Sequence, residues 1–231
     1  MLPLRDINPT KSAPVVTIGL IIANFVVWAG YELPDGLAAS ITSFGYHPCE
    51  VDSSCHQIGH GWVVTAFTSM FMHGGWEHIL FNMLFLWIFG NNIEDALGHV
   101  RFAAFYVVGG LVATASQTEV TLGWGSQADA MIPNVGASGA IAAVLGGYIL
   151  LYPRARVLTW IAPFFFLEIP AFALLGLWFA FQLWAGKTSL TTPEAGGGVA
   201  YFAHIGGFLF GLALVTAFLV GRPRPQPMPR Y

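Results

Sequence analysis

Charge is what this sequence has least of. Only 9% of its 231 residues are Asp, Glu, Lys or Arg, against roughly 25% in an ordinary soluble domain, and 55% are apolar. So few charges could not cover the surface of a water-soluble domain, which excludes that class. A formal net charge of -3 and the lack of a basic stripe argue against a nucleic-acid partner. His47, His56 and His60 lie near one another, but no CxxC or HExxH pattern accompanies them. Neither a metal nor another cofactor is therefore expected. Cysteine is scarce as well: Cys49 and Cys55 are the two present. An oxidising compartment would let them close a small ring, and two unpaired thiols fit the sequence equally well.

What the chain has instead is long apolar runs. Crossing ~30 Å of hydrocarbon takes ~20 predominantly apolar helical residues. Candidate spans lie near Pro14–Tyr31, Trp76–Asn92, Arg101–Gln117, Ser138–Tyr152, Pro170–Gly186 and Tyr201–Val220. The first, preceded by Arg5 and Lys11, has the outline of a secretory signal. It is long for one, and acidic and proline residues separate it from the small residues Leu37-Ala38-Ala39-Ser40, so a retained helix is expected. With the N-terminus inside, Arg5, Lys11, Arg101, Arg154, Arg156, Arg222, Arg224 and Arg230 all fall on the cytoplasmic side, leaving only Lys187 outside. That bias favours both termini in the cytoplasm. Glu194 belongs with the acidic residues expected in the outer loops.

The expected fold is therefore all-α, a polytopic six-helix bundle. Its parts are an N-terminal tail over 1–13, a membrane domain over 14–221 and a Pro/Arg-rich tail over 222–231. The first outer loop is expected to be structured, because Trp62, Val63, Val64, Phe67, Met70 and Phe71 give it enough apolar surface to lie in the interface.

The fourth run is short. Ser138 to Tyr152 makes roughly 22 Å of helix, and Pro153, Arg154 and Arg156 fix its inner end. Ser138, in Gly136-Ala137-Ser138-Gly139, should thus start a helix below the outer surface, where non-helical backbone is tolerated only against protein or a water-filled cavity. His204 lies about one turn into the last run, and an ionisable group there is costly unless it faces the bundle interior. His78 and Asn82, four apart in the second run, share a helix face. The second, fourth and sixth runs point the same way, so a candidate nucleophile, a candidate base and two polar side chains reach one level on three helices. Gly139, Ala143 and Gly147 on one helix and Ala203, Gly207 and Gly211 on another give the small-residue spacing that lets backbones approach.

The segment His73-Gly74-Gly75-Trp76-Glu77-His78-Ile79-Leu80-Phe81-Asn82, the Gly136-Ala137-Ser138-Gly139 motif and Ala203-His204-Ile205-Gly206-Gly207 together resemble the rhomboid family of intramembrane serine proteases. The likeness runs from the first span to the sixth. It implies Ser138 as nucleophile and His204 as general base, with His78, Asn82 and the Ser138 backbone N–H at the oxyanion site. Glu94 and Arg101 resemble positions that brace the inner loop. Two positions depart from the family pattern: Trp62-Val63 stands where many members carry Trp-Arg, and Ala142 stands where some place a tyrosine against the histidine. The ring of His204 must then be oriented by something else.

The function this implies is hydrolysis of peptide bonds in or near transmembrane segments of membrane-protein substrates within a lipid bilayer. A catalytically inactive relative that binds membrane segments, and a small polytopic transporter, are the alternatives. The compact chain suggests a bacterial plasma membrane, with the site opening toward the extracytoplasmic side. The aromatic-rich fifth run would border a lateral entrance. Nothing in the sequence fixes the oligomeric state.

Overall fold

The computed structural model describes residues 1–163, 165–191 and 198–222. The expectations for Glu194, Arg224, Arg230 and the Pro/Arg-rich tail beyond Arg222 lie outside the described residues.

The fold is mostly helical. Helix α1 (Val15–Asp35) is followed by α2 (Leu37–Phe44) and by α3 (Trp62–Phe71). Helix α4 (Trp76–Phe85) passes through a π turn at Leu86–Gly90 into α5 (Asn91–Leu97). Helix α6 (His99–Trp124) is followed by the short α7 (Gln127–Ala130) and then α8 (Ser138–Leu151). The last two are α9 (Ala171–Thr191) and α10 (Tyr201–Phe218). Among the described residues, α1, α6 and α10 are long and apolar enough to cross a membrane, while α3 and α8 are shorter apolar helices.

Burial explains how these helices are arranged. On α8 every residue from Gly139 to Tyr148 is buried, so it forms the centre of the bundle, packed against α6 and α10. Helix α1 shows the opposite pattern, with Val15, Ile18, Ile22 and Val26 exposed along one stripe and Thr17 and Asn24 fully buried on the other face. An apolar stripe facing outward and polar groups facing inward is the arrangement expected when the solvent is hydrocarbon.

The all-α expectation needs correction. Strands β1 (Leu2–Asp6), β2 (Arg156–Ile161) and β3 (Phe165–Pro170) form a three-stranded antiparallel sheet in that order. Leu2 pairs with Trp160 and Asp6 with Val157, while Arg156 opposes Pro170 and Ile161 opposes Phe165. Between helices, the run Val157-Leu158-Thr159-Trp160-Ile161 is rich in β-branched and aromatic residues, which suit a pleated, half-buried surface. Alternation then puts Val157 and Thr159 inside, both fully buried. The segment expected as an N-terminal tail thus carries a strand, and Tyr148 on α8 donates its hydroxyl hydrogen to Asp6 Oδ2 at 2.8 Å. Burial pushes the Asp6 carboxyl up to about 6, against the opposing pull of that bond.

Candidate functional site

The loop that delivers Ser138 is held from two sides. Asn134 and Tyr46 exchange both backbone hydrogen bonds, at 2.7 and 3.0 Å, and Gly136 N–H donates to Ser69 O at 2.8 Å. The segment between α1 and α4 therefore packs directly on the approach to α8. Gly136 has φ +119, a conformation that side-chain-bearing residues rarely adopt, and a Cβ there would lie 2.7 Å from His78 Nε2. Only glycine fits both demands. Ser138 follows as the first residue of α8, where first-turn N–H groups have no intrahelical acceptor.

Helix α10 approaches α8 closely enough for their backbones to touch. A Cβ on Gly207 would run into Gly139 O, one on Gly211 into Ala143 O, and one on Gly146 into Phe208 O. Of the small residues expected to let these helices approach, Gly139 and Ala143 meet Gly207 and Gly211. Gly146, which the sequence reading passed over in favour of Gly147, makes the third. This contact brings His204 Nε2 to 2.8 Å from Ser138 Oγ.

The other ring nitrogen of His204 also has a partner. Nδ1 lies 2.9 Å from Oε1 of Gln182 on α9, and the Trp178 ring, one turn earlier, is centred 6.0 Å from the imidazole at 38°. Ala142 is fully buried and supplies no ring. Sequence reading did not single out Gln182. Its signal was a lone amide in an apolar, aromatic-rich run.

On α4, Asn82 is buried, and its Nδ2 finds no acceptor among the described residues. His78 Nδ1 accepts from Gly74 N–H at 3.2 Å, so the proton of the neutral ring sits on Nε2. A Cβ on Gly136 would be 2.7 Å from that Nε2 and 3.6 Å from Asn82 Nδ2. His78 Nε2–H and Asn82 Nδ2–H thus converge on the backbone just before Ser138. A cavity of about 30 Å³ opens beside Ser138, lined among others by Ser69, Gln117, Asn134 and Gly136, large enough for a water molecule.

Glu94 and Arg101 lie away from this cluster and from each other's bonds. Glu94, fully buried, accepts from Val16 N–H at 2.8 Å and from Thr17 N–H and Oγ1 at 2.7 Å, and it meets His99 Nδ1 at 2.6 Å. A carboxylate there caps the N-terminus of α1 with favourable dipole sign. Arg101 donates to Phe218 O and Val220 O at 3.2 and 2.6 Å, tying down the end of α10. Cys49 and Cys55 are joined as a disulfide, their Cα atoms 5.4 Å apart.

The family model described as Rhomboid domain matches residues 60–221, most of the chain, including every member of this cluster. The chain belongs to the rhomboid family. Over 146 residues it is 30% identical to Rhomboid protein 1, mitochondrial, of Saccharomyces cerevisiae, covering 62% of this chain and 38% of that protein. Over 208 residues it is 28% identical to RHOMBOID-like protein 12, mitochondrial, of Arabidopsis thaliana, covering 83% and 55%. Presenilin-associated rhomboid-like protein, mitochondrial, of Homo sapiens is 26% identical over 204 residues, covering 86% and 47%. The chain thus spans 38% to 55% of the length of these relatives. Rhomboid membership gives it a fold shared with intramembrane serine proteases and places it in contact with lipid. The bacterial plasma membrane expected from the compact chain is overturned, because these rhomboid relatives are all named as mitochondrial. The assignment of both termini to the cytoplasm falls with it.

Proposed function

We propose that this rhomboid is an intramembrane serine endopeptidase that cleaves membrane-protein substrates in or beside their transmembrane segments. The 2.8 Å approach of His204 Nε2 to Ser138 Oγ carries the reading. In it, residues 14–221 form one membrane domain of six spans, with the segment between α1 and α4 as a structured outer loop, in a mitochondrial membrane.

Attack begins as the Ser138 Oγ–H proton passes to His204 Nε2 and Oγ bonds to the substrate carbonyl carbon. The carbonyl oxygen becomes an oxyanion facing His78 Nε2–H, Asn82 Nδ2–H and the Ser138 backbone N–H. Among the described residues none of the three has an acceptor, so none needs to break a bond to receive it. Collapse of the tetrahedral species breaks the C–N bond, and the leaving amine takes the proton from His204. The ester on Ser138 is then opened by water, which gives a proton to His204 as it attacks. His204 returns that proton to Oγ as the acid product leaves. The cavity beside Ser138 is a fitting reservoir for that water.

Labelling with a fluorophosphonate probe tests the reading without a known substrate. Wild-type protein in lipid should label at Ser138 and Ser138→Ala protein should not. No labelling of folded wild type, or equal labelling of both, would overturn it.

A further inference from the structure

We infer that Gln182 is a positioning residue for His204, setting both the tautomer and the orientation of its ring. This inference rests on the Ser138–His204 reading above. A neutral imidazole carries one N–H, and only the form with the proton on Nδ1 leaves a lone pair on Nε2 to accept from Ser138 Oγ. The two forms are close in energy for a free ring, so the environment must choose.

Here the choice is made from α9. Gln182 is 5% exposed, and its Oε1 lies 2.9 Å from His204 Nδ1. An amide oxygen can only accept. With the proton on Nδ1 it is satisfied by the ring; with the proton on Nε2 the amide must either face a lone pair or turn over to present its NH₂ group. Leaving such buried groups unpaired is costly, so the amide, oriented as the structure shows it, favours the productive form. Among the described residues no carboxylate bonds to His204, so an uncharged acceptor takes the orienting part. An amide suits a membrane helix, where a carboxylate would be costly.

The same helix supplies the wall. Trp178, Gln182 and Gly186 lie at successive four-residue steps on one face of α9. Trp178 flanks the imidazole, and a Cβ on Gly186 would meet Tyr201, Phe202 and Ile205 of α10 at 3.4 Å. With Ala142 in place of a ring on α8, the imidazole is held from the α9 side.

The experiment compares fluorophosphonate labelling rates of wild type, Gln182→Leu and Gln182→Glu, each checked for thermal unfolding in the same detergent. Leu keeps the approximate size and removes the acceptor, while Glu keeps an acceptor oxygen. Gln182→Leu should label at least about tenfold more slowly, with Gln182→Glu recovering most of the rate. Wild-type labelling by Gln182→Leu would overturn the inference while leaving the dyad intact. So would equal slowing in both variants, which would point to packing alone. Absence of labelling in wild type would instead sink the dyad. Should Gln182→Leu fail to fold, ¹⁵N-histidine NMR of wild type decides. The signal missing from His204→Ala protein should show Nδ1 protonated, and Nε2 protonation would overturn the inference.

Discussion

Ser138 Oγ and His204 Nε2 stand 2.8 Å apart across 66 residues of sequence, and the glycines that bring their helices together fix that distance. Gly207 and Gly211 lie so close to Gly139 and Ala143 that a single methyl group would strike backbone oxygen. The polar pair is thus a consequence of packing, since neither side chain could draw the helices together against larger residues.

If the pair acts as a dyad, Ser138→Ala and His204→Ala should each lower cleavage of a transmembrane substrate by at least about a thousandfold. The two together should be little worse than either alone, because they act as a unit. Initial rates in proteoliposomes test this, and additive losses would count against it.

Asn82→Ala should lower kcat by about a hundredfold with little change in KM. Its Nδ2 has no partner among the described residues, so the ground state should lose no bond when it is removed. A rise in KM at constant kcat would place Asn82 in substrate binding instead.

Gly211→Ala should destabilise the protein by about 2 kcal/mol through overpacking and reduce labelling at Ser138. Gly176→Ala is the matched control, since a methyl group there meets nothing within 4 Å. Thermal unfolding in detergent should separate the two variants clearly.

Glu94→Gln should cost about 2 kcal/mol of stability, because one carboxylate oxygen facing backbone and hydroxyl donors becomes an NH₂ group. The labelling rate of the folded fraction should not change. Along the helical path Glu94 lies roughly 24 Å beyond His78, so a changed rate would reveal coupling that the geometry does not suggest.

The N-terminal strand gives a pH test. The Asp6 carboxyl is raised from 3.8 to about 6 by burial, so the folded state holds its proton more tightly than the unfolded chain. Its stabilising contribution is complete below pH 3.8 and is lost as pH rises through about 6. Asp6→Asn keeps an acceptor for Tyr148 and removes the charge. It should flatten the unfolding temperature between pH 4 and 7 and stabilise the protein at pH 7 by ~1 kcal/mol, allowing for solvent screening.

Much of the site could be read in the sequence because its signals are local. A short run ending at Pro153 locates the start of α8, a histidine in an apolar helix faces inward, and four-residue spacing puts His78 and Asn82 on one face. The sheet could not be read this way, since β1 pairs residues 2–6 with 157–160 and nothing local announces a pairing of that span. Gln182 was hidden for another reason. It carries no charge, so the cost argument that exposed His204 does not reach it, and its meaning depends on which helix lies opposite. The Cys49–Cys55 bridge needed a distance that spacing alone could not supply.

The supports of His204 differ in mechanical compliance. Helix α10 meets α8 through backbone, which has almost no give, but meets α9 through the side chains of Trp178, Phe179 and Gln182. Rotamer changes can take up strain on that second side. Under load the bundle should deform first at α9, with the serine–histidine distance outlasting the Gln182 contact on the ring's far nitrogen.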